Sequence, residues 1–274
     1  DPINPEQRFL EEAANILING GLVIIPTETV YGIAANMLHK KALERLYEIK
    51  KRPKDKSFSI HIDEKGKMYC ADYVLLMLVR DIIERIKNPK VVFDTKFSLG
   101  IINKFKDFGA TPIMSKTGHS FIEDKIKEEH ADIGGETSGH LFFAENYYGF
   151  DDAFLAALKI VEIVGKHTHP VSQMFNDIPH VVSTPEIKVP CSDDTKFKIV
   201  QELVDHFTKI YDCITIDGVR ISFDENSWAA IRASNTSPNL TLRFEAKTIE
   251  KVQEMKKIMA DALKNHPEIS LDWI

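Results

Sequence analysis

Cysteine is scarce in this chain, and so are long hydrophobic runs. The only cysteines are Cys70, Cys191 and Cys213. They are odd in number and widely spaced, without a Cys-x-x-Cys pair, so neither a disulfide framework nor a structural zinc site is supported. Apolar runs such as Tyr73 to Val79 are too short to cross a membrane, and the acidic start lacks the basic segment of a signal peptide. We therefore expect a soluble protein of the reducing cytoplasm.

An excess of positive charge is also absent. Lys and Arg number 35 against 41 Asp and Glu, which gives a formal net charge of -6. This balance argues against a general nucleic-acid or membrane-surface binder, whereas local basic residues still allow small anionic ligands. With 43% hydrophobic residues over 274 positions, the chain is long enough for two or three compact units.

The segment 1–62 has the pattern of a partial α/β domain. Apolar residues recur at helical spacing up to Gly20, which predicts that a first helix ends there. A short buried strand is predicted for Leu22 to Ile25, a helix for Lys40 to Lys50, and an alternating strand for Ser57 to Ile62. The composition changes to a turn at Asp63 to Gly66, where we place a domain boundary.

Predicted strands and helices alternate through the next segment. An apolar helix face covers Asp72 to Ile86. The alternation predicts a three-layer α/β domain over residues 63–166, with a mostly parallel sheet and crossover helices. The later predicted elements are strands Val91–Asp94, Thr111–Met114, Ala131–Ile133 and Leu141–Phe143, and helices Ser98–Phe108, Phe121–His130 and Asp151–Val164.

A proline-rich linker, Gly165 to Pro190, leads to the last predicted domain, residues 187–274. Helices are predicted for Asp193 to Tyr211 and Thr248 to Asn265. With four strands between them, they predict an α+β domain whose helices cover one face of a sheet. The predicted strands are Cys213–Ile216, Val219–Phe223, Trp228–Arg232 and Thr241–Glu245.

Polar residues cluster where the predicted parallel strands end. The loop Gly134 to His140 contains Glu136 and Ser138, and a carboxylate that accepts from two vicinal hydroxyls can orient a sugar. Lys96 and His119 each follow a predicted strand, and the carboxyl ends of parallel strands meet at one sheet edge. An ordinary turn explains the Gly and Ser equally well. Four chemically distinct groups at one edge favour a ligand site.

A second polar loop lies in the last predicted domain. Arg232, Ser234, Asn235 and Thr236 follow a predicted strand, where a guanidinium, hydroxyls, an amide and loop N–H groups can wrap a phosphate. A surface turn explains these residues except Arg232. Arg243, on the next strand, is either a second anion contact or an exposed strand cation.

Five stretches, in order along the chain, carry a family resemblance. They read VVFDTKFS, KTGHSFIEDKIKEEHADIGGETSGHLFF, YYGFDDAFLAALKIVEIV, DGVRISF and IRASNTSPNLTLRFEA. From about Asp63 onwards the chain resembles the C-terminal half of the α-D-phosphohexomutase family, which includes phosphomannomutase/phosphoglucomutase. The resemblance implies that Glu136 and Ser138 hold sugar hydroxyls, that Lys96 and His119 line the active site, and that the four loop residues from Arg232 to Thr236 bind the phosphate of a hexose phosphate. Leu99 stands where family members often carry a basic residue.

The same resemblance sets expectations about catalysis. Complete family members carry a phosphorylated serine in a Ser-His-Asn type loop and a DGDGDR-type loop whose aspartates hold Mg²⁺. Neither motif occurs in these 274 residues. Because the phosphoryl transfer needs both, we expect hexose-phosphate binding without turnover, with no catalytic residue and no cofactor in this chain.

Residues 1–62 resemble a different family. The stretches PTETVYG, KKRP and FSIHI are similar to the opening of the threonylcarbamoyl-AMP synthase family, which uses ATP, bicarbonate and threonine in tRNA modification. The resemblance implies substrate contacts from Thr27, Tyr31, Lys50 and Arg52. The later Ser-Ala-Asn type nucleotide motif is absent, so a complete ATP site is not expected. A solvated basic helix end explains Lys50 and Arg52 without any nucleotide.

Three hypotheses of function stay open. The chain is a phosphohexomutase-like binder of hexose phosphates, an ATP-dependent threonylcarbamoyl-AMP synthase-like protein, or a non-catalytic module completed by a partner chain. A partial α/β fragment exposes sheet edges, so residues 1–62 should dock on the rest, pair with a partner chain or a second copy, or be unstable. A gene rearrangement or an engineered chimera would explain the abrupt junction. The first hypothesis requires that Glu136 and Arg232 face each other across one cleft.

Overall fold

The computed structural model describes residues 7–26, 31–35, 39–49, 67, 69–235 and 237–274. The chain divides into two compact units, Asp1–Ile60 and His61–Ile274. Within the described ranges, no helix combines the length and the hydropathy that a bilayer crossing requires.

Among its described residues, the first unit contains two helices and a β-hairpin. Its first helix is followed by Gly20 at φ 77°, a left-handed conformation that glycine adopts without steric penalty. The second strand is not predicted by the sequence pattern, since Tyr31 to Ala35 does not alternate polar and apolar residues. The predicted strand Ser57–Ile62 lies outside the described residues. The elements are α1 (Gln7–Ile18), β1 (Leu22–Pro26), β2 (Tyr31–Ala35), antiparallel to β1, and α2 (Lys40–Ile49).

The second unit begins with an α/β domain built on a five-stranded sheet. The strand order is β4-β3-β5-β6-β7. Strand β3 pairs in parallel with β4 and β5, and β6 and β7 extend the sheet in antiparallel fashion. This confirms the predicted α/β class, with the parallel core limited to three strands. The elements are α3 (Ala71–Ile82), β3 (Lys90–Asp94), α4 (Leu99–Asp107), β4 (Thr111–Ser115), α5 (His119–Glu129), β5 (Ile133–Gly135), β6 (Leu141–Phe143), β7 (Phe150–Asp151) and α6 (Ala153–Lys166).

Alternate residues of β3 fill two different apolar layers. Val91 and Phe93 belong to the larger core, together with buried residues of α3, α4 and α6. Val92 packs instead with Ile122 and Ile126 of α5. Because successive strand residues point to opposite faces, α3, α4 and α6 cover one face of the sheet and α5 covers the other. The domain therefore has the predicted three layers.

The second domain of this unit is a six-stranded antiparallel sheet under two helices, which confirms the predicted α+β class. The strand order is β10-β11-β12-β13-β8, and β9 also pairs with β13. Strands β8 and β9 come from the predicted linker, so part of that segment is built into the sheet. The elements are β8 (Val182–Ser183), β9 (Ile187–Pro190), α7 (Lys196–Phe207), β10 (Asp212–Ile214), β11 (Val219–Asp224), β12 (Ser227–Ala233), β13 (Asn239–Ala246) and α8 (Ile249–Leu263).

Strand alternation gives this sheet one apolar face and one polar face. On β13, Leu242 and Phe244 pack in the core beneath α7 and α8, whereas the intervening Arg243 and Glu245 point to the other side. We call this other side the polar face. It carries Arg220, Trp228, Arg232, Thr241, Arg243 and Glu245. The polar face meets the α/β domain, and the candidate site lies where they meet.

Candidate functional site

Asp94 connects two of the loops that are predicted from the sequence to form the site. It is the last residue of β3 and is fully buried. Its Oδ1 accepts a hydrogen bond from the Lys96 amide at 2.8 Å. Its Oδ2 accepts from the amide and the hydroxyl of Thr137, both at 2.7 Å. The loop of Lys96 is therefore tied to the loop that contains Glu136 and Ser138.

Lys96 is buried, and its ammonium is paired with a carboxylate. Lys96 Nζ lies 2.7 Å from Glu186 Oε2. Glu186 precedes β9, in the segment predicted to be a linker, and only about a quarter of its side chain is exposed (23%). An anionic ligand group that approaches Lys96 must therefore compete with Glu186 for the same cation.

Glu136 is buried beside the N-terminus of α5. Its Oε1 accepts a hydrogen bond from the Gly118 amide at 2.7 Å. Gly118 has φ 135°, a backbone conformation that favours glycine. Burial raises the pKa of the Glu136 carboxyl above its ordinary value. The positive end of the α5 dipole lies next to this carboxylate and favours its ionised form.

Arg232 connects to the same α5 loop through Asp217. Arg232 Nε donates to Asp217 Oδ2 at 2.7 Å, and the Thr117 amide donates to the same oxygen at 3.0 Å. The next amide in the chain, that of Gly118, is the one that donates to Glu136. Two successive amides thus link Glu136 of the α/β domain to the arginine of the C-terminal domain. The two residues lie on either side of one loop.

Two arginines of the polar face hold the backbone that carries Lys96. Arg220 Nη1 donates to the carbonyl oxygens of Thr95 and Phe97, at 2.5 and 2.9 Å. Arg243 Nη1 donates to the Lys96 carbonyl at 2.9 Å. The carbonyls of three consecutive residues accept from the neighbouring domain. This role of Arg243 is described by neither of the two alternatives that its sequence position suggests.

Arg220 is buried, so the stability of its charge depends on the groups in contact with it. Its guanidinium carbon lies 3.5 Å from the centre of the Trp228 ring, a cation–π geometry that strengthens when water is excluded. Burial lowers the pKa of the Arg220 guanidinium to about 9. The negative charges of Glu245 and Asp94 oppose this shift and favour the charged form.

Glu245 joins the polar face to the start of α4. Its Oε1 accepts from the Leu99 amide at 2.9 Å and from Trp228 Nε1 at 2.8 Å. Nearby, Asp72 Oδ2 accepts from the Ser98 amide at 3.3 Å, and burial raises the pKa of the Asp72 carboxyl. Two buried carboxylates therefore accept hydrogen bonds from successive amides at the N-terminus of α4, where the helix dipole favours negative charge.

The remaining predicted sugar-side residues are exposed. His119 is the first residue of α5, and its ring centre lies 6.4 Å from that of His140. His140 in turn contacts Asp151 through Nδ1. Ser138 is exposed on the loop after β5. These side chains lie at the rim of the cluster that contains Glu136.

The predicted phosphate loop is only partly described. Ser234 is buried, and its hydroxyl lies 3.0 Å from that of Ser237. Its amide donates to the Asn239 carbonyl, which closes the loop between β12 and β13. Asn235 is exposed. Thr236 lies outside the described residues.

Most of the predicted nucleotide contacts of the first unit lie outside the described residues. Thr27, Lys50 and Arg52 lie outside the described residues. Tyr31 is the first residue of β2 and stands opposite Pro26 in the hairpin. The implied roles of these four residues remain predictions.

The carboxylates that organise the site are not among the residues predicted from the sequence. Asp94 ends a buried strand, and an acidic residue at that place is a usable indication of a site at the sheet edge. Asp217 lies in an Asp-Gly turn, and the turn alone explains an aspartate at this position. Glu186 stands in a proline-rich segment with no pattern that would select it. Arg220 lies between the buried residues Val219 and Ile221 on β11. Strand alternation alone explains it as a residue of the opposite face of the sheet, so its position does not indicate a site.

Together these features define an α/β protein whose two C-terminal domains share one buried polar cluster. Residues 71–182 match the family model described as phosphoglucomutase/phosphomannomutase, alpha/beta/alpha domain III. Residues 186–262 match the model for the C-terminal domain of the same family. Residues 15–85 match a third model, described as telomere recombination, of the Sua5/YciO/YrdC type. These matches confirm that the chain resembles two different families.

Individual relatives agree with the two mutase models. Phosphomannomutase/phosphoglucomutase of Pseudomonas aeruginosa is 36% identical over 204 residues, which are 74% of this chain and 44% of the relative. Phosphoglucomutase of Neisseria meningitidis is 35% identical over 210 residues, 74% of this chain and 45% of the relative. A solved phosphoglucomutase/phosphomannomutase family protein from Burkholderia thailandensis superposes with a TM-score of 0.69 at 29% identity, covering 76% of this chain and 44% of that one.

Through residues 71–262, the chain belongs to the phosphoglucomutase/phosphomannomutase family. It spans less than half of the length of these relatives.

Proposed function

We propose that the second unit binds a hexose phosphate, with the sugar on the α/β domain and the phosphate on the C-terminal domain. The link between Glu136 and Arg232 through the adjacent amides of Gly118 and Thr117 carries this proposal. It brings an acceptor for sugar hydroxyls and a donor for phosphate to one loop. The names of the relatives, phosphomannomutase and phosphoglucomutase, make mannose and glucose phosphates the first ligands to test.

The charges of the site suit exchange between internal carboxylates and a ligand anion. Lys96 pairs with Glu186, and Arg232 pairs with Asp217. A guanidinium is a planar fork of five N–H donors, so Arg232 can keep Asp217 on Nε while its Nη groups donate to a phosphate. Lys96 has a single ammonium and must share it between Glu186 and the ligand.

We infer binding rather than turnover for these residues by themselves. The sequence contains neither the serine loop nor the DGDGDR-type loop that the family resemblance associates with phosphoryl transfer. Over the part of the chain that the structure describes, no group of three or more His, Cys, Asp or Glu side chains is placed to hold a metal ion. We derive no step through Mg²⁺.

Titration calorimetry with mannose 1-phosphate and glucose 1-phosphate tests the proposal. Arg232→Ala should weaken binding about 10- to 100-fold, because a charge-assisted hydrogen bond contributes about 1.5–3 kcal/mol. Arg80→Ala is the matched control, since Arg80 also pairs with one carboxylate, Asp177, at 2.6 Å. It should leave the affinity unchanged. Failure of the unaltered chain to bind either sugar phosphate would reject the proposal.

A second variant should change the affinity in the opposite direction and can be measured by the same titration. Glu186→Gln removes the carboxylate that competes for Lys96, so binding should tighten by about two- to fivefold, the scale of a partly exposed ion pair. Glu162→Gln removes a partner of Lys166 at 2.8 Å and serves as the control. Weaker binding by Glu186→Gln would show that Glu186 supports the site instead of competing with its ligand.

A second candidate function concerns the first unit. The family-model match over residues 15–85 supports threonylcarbamoyl-AMP synthase-like chemistry there. ATP, threonine and bicarbonate would then release pyrophosphate in the presence of the chain. A pyrophosphate assay that shows no release above the rate without protein removes this candidate.

A further inference from the structure

A cavity of about 410 Å³ lies where the C-terminal halves of α3 and α6 meet the segment 167–176. This segment follows α6 and leads toward β8, so it belongs to the connection between the two domains of the second unit. Met77, Ile163 and Met174 give the cavity an apolar part, and its volume lies in the range of about 300–1,000 Å³ that is typical of small-molecule sites. None of its described lining residues belongs to the candidate site above.

The arginine and the lysine that line the cavity already have carboxylate partners. Arg80 Nη2 lies 2.6 Å from Asp177 Oδ1. Lys166 Nζ lies 2.8 Å from Glu162 Oε1 and 3.4 Å from Asp81 Oδ1. An anionic ligand would have to displace one of these carboxylates. The charges of the lining therefore do not favour an anion.

The carboxylate of Glu84 is in the opposite situation. Glu84 lines the cavity, is exposed and follows the end of α3 by two residues. The C-terminal end of a helix dipole favours cations and disfavours a carboxylate. Among the described residues, none forms a hydrogen bond or an ion pair with the Glu84 side chain, whereas the neighbouring Asp81 pairs with Arg85 at 2.6 Å. The position of Glu84 therefore suits a positively charged ligand group.

The segment 167–176 contributes hydrogen-bond acceptors to the lining. His169, Gln173 and Asn176 are exposed and line the cavity, and an imidazole nitrogen or an amide oxygen can accept from an N–H donor. Met77 and Met174 supply flexible thioether side chains that adapt to an alkyl chain. The lining therefore combines one unpaired carboxylate, several acceptors and an apolar part.

We propose that this cavity binds a small aliphatic amine with a second polar group. The ammonium pairs with Glu84, and the second polar group reaches His169. The alkyl chain between them lies on Met77, Ile163 and Met174. The bound amine thus bridges α3 and the segment 167–176 and holds one end of the interdomain connection against the α/β domain. The proposal does not depend on hexose-phosphate binding.

Titration calorimetry with 1,4-diaminobutane at low ionic strength tests the proposal, with 1,4-butanediol as the uncharged probe of the same length. We expect the full chain to bind the diamine and not the diol. Glu84→Gln should raise the Kd of the diamine about three- to fivefold, the scale of a partly exposed ion pair. Glu268→Gln is the matched control, because Glu268 is also an exposed glutamate in a turn after a helix, α8. It should leave the Kd unchanged.

A second variant and a mapping experiment locate the bound amine. His169→Ala should raise the Kd about two- to tenfold, as expected for the loss of one hydrogen bond. His180→Ala, at an exposed position further along the same connection, should leave the Kd unchanged. Hydrogen exchange of the amides of residues 167–176 should slow when the diamine binds, because the amine joins this segment to α3.

Four results would overturn the proposal. The first is no binding of the diamine. The second is equal weakening by Glu84→Gln and Glu268→Gln, which would show only the general attraction of cations to a chain of net charge -6. The third is equal binding of the diol, which would assign the cavity to uncharged ligands. The fourth is binding of inorganic sulfate that Arg80→Ala abolishes, which would assign the cavity to anions. Hexose-phosphate affinity of Glu84→Gln, measured in parallel, should equal that of the unaltered chain, so this proposal and the proposed function fail separately.

Discussion

Along strand β13, neighbouring residues serve two different purposes within the same sheet. Phe244 is fully buried in the apolar core under α8, and the next residue, Glu245, is equally buried on the polar face. Burial of the ring gains free energy directly, whereas burial of the carboxylate is tolerated because Leu99 and Trp228 donate to it. The apolar face holds the domain together, and the polar face holds the second domain against the first.

Phe244→Ala should break the apolar face and produce the largest loss of stability. The ring is fully buried and lies 5.9 Å from that of Trp273, so its removal should cost about 3–5 kcal/mol. Urea unfolding followed by circular dichroism measures this loss. Hexose-phosphate affinity, determined well below the unfolding transition, should stay unchanged. A large change in Kd would contradict the separation of the two faces.

Glu245→Ala breaks the polar face and should affect both stability and the site. It leaves the Leu99 amide and the Trp228 indole without their acceptor, and each buried unpaired donor costs about 1–3 kcal/mol. Because the start of α4 and the Lys96 loop lose a support, hexose-phosphate affinity should also fall several-fold. Calorimetry of Glu245→Ala beside the exposed control Glu268→Ala distinguishes this effect from a general loss of charge. Unchanged affinity would mean that the polar face only stabilises.

Asp72→Asn sharpens the comparison through pH and has the smallest expected effect. Burial raises the pKa of Asp72, so the folded protein binds this proton more tightly than the unfolded chain does. The unaltered protein therefore loses stability as pH rises through the raised pKa. Asn cannot ionise, so the stability of the variant relative to the unaltered protein should increase from about pH 4 to neutral pH.

Thermal unfolding at several pH values measures the effect of Asp72→Asn. Asp124→Asn, at an exposed position, accounts for the loss of one negative charge. A stability difference for Asp72→Asn that stays constant or decreases with pH would mean that burial of the carboxylate is offset by its partners.

Long periodic elements of the fold were open to prediction, and short paired strands were not. Leu141 to Phe143 forms a strand at the predicted positions, because three consecutive buried apolar residues between turns have few alternatives. Strands β7, β8 and β9 contain two to four residues each. Their existence depends on partners distant in the chain, such as Leu242 opposite Ile187. Periodicity cannot reveal pairing of that kind.

The candidate site shows the same division. Lys96, Glu136 and Arg232 stand out in the sequence because charged residues follow strands at a sheet edge. Their carboxylate partners do not stand out, since Lys96 and Glu186 are 90 positions apart and meet only when two domains pack. The pairing of Arg232 with Asp217 needs the β11–β12 register. Residue types therefore indicated the chemistry, and only the fold determined which charges are already neutralised.

The hydrogen bonds from Arg220 and Arg243 to the carbonyls of residues 95–97 have a mechanical consequence. The two domains are joined covalently through the segment around β8 and β9. A rotation about that connection must either break these three hydrogen bonds together or move the Lys96 loop with the C-terminal domain. The position of Lys96 therefore depends on the angle between the two domains. A change of that angle would move Lys96 relative to the place where we expect the sugar to bind.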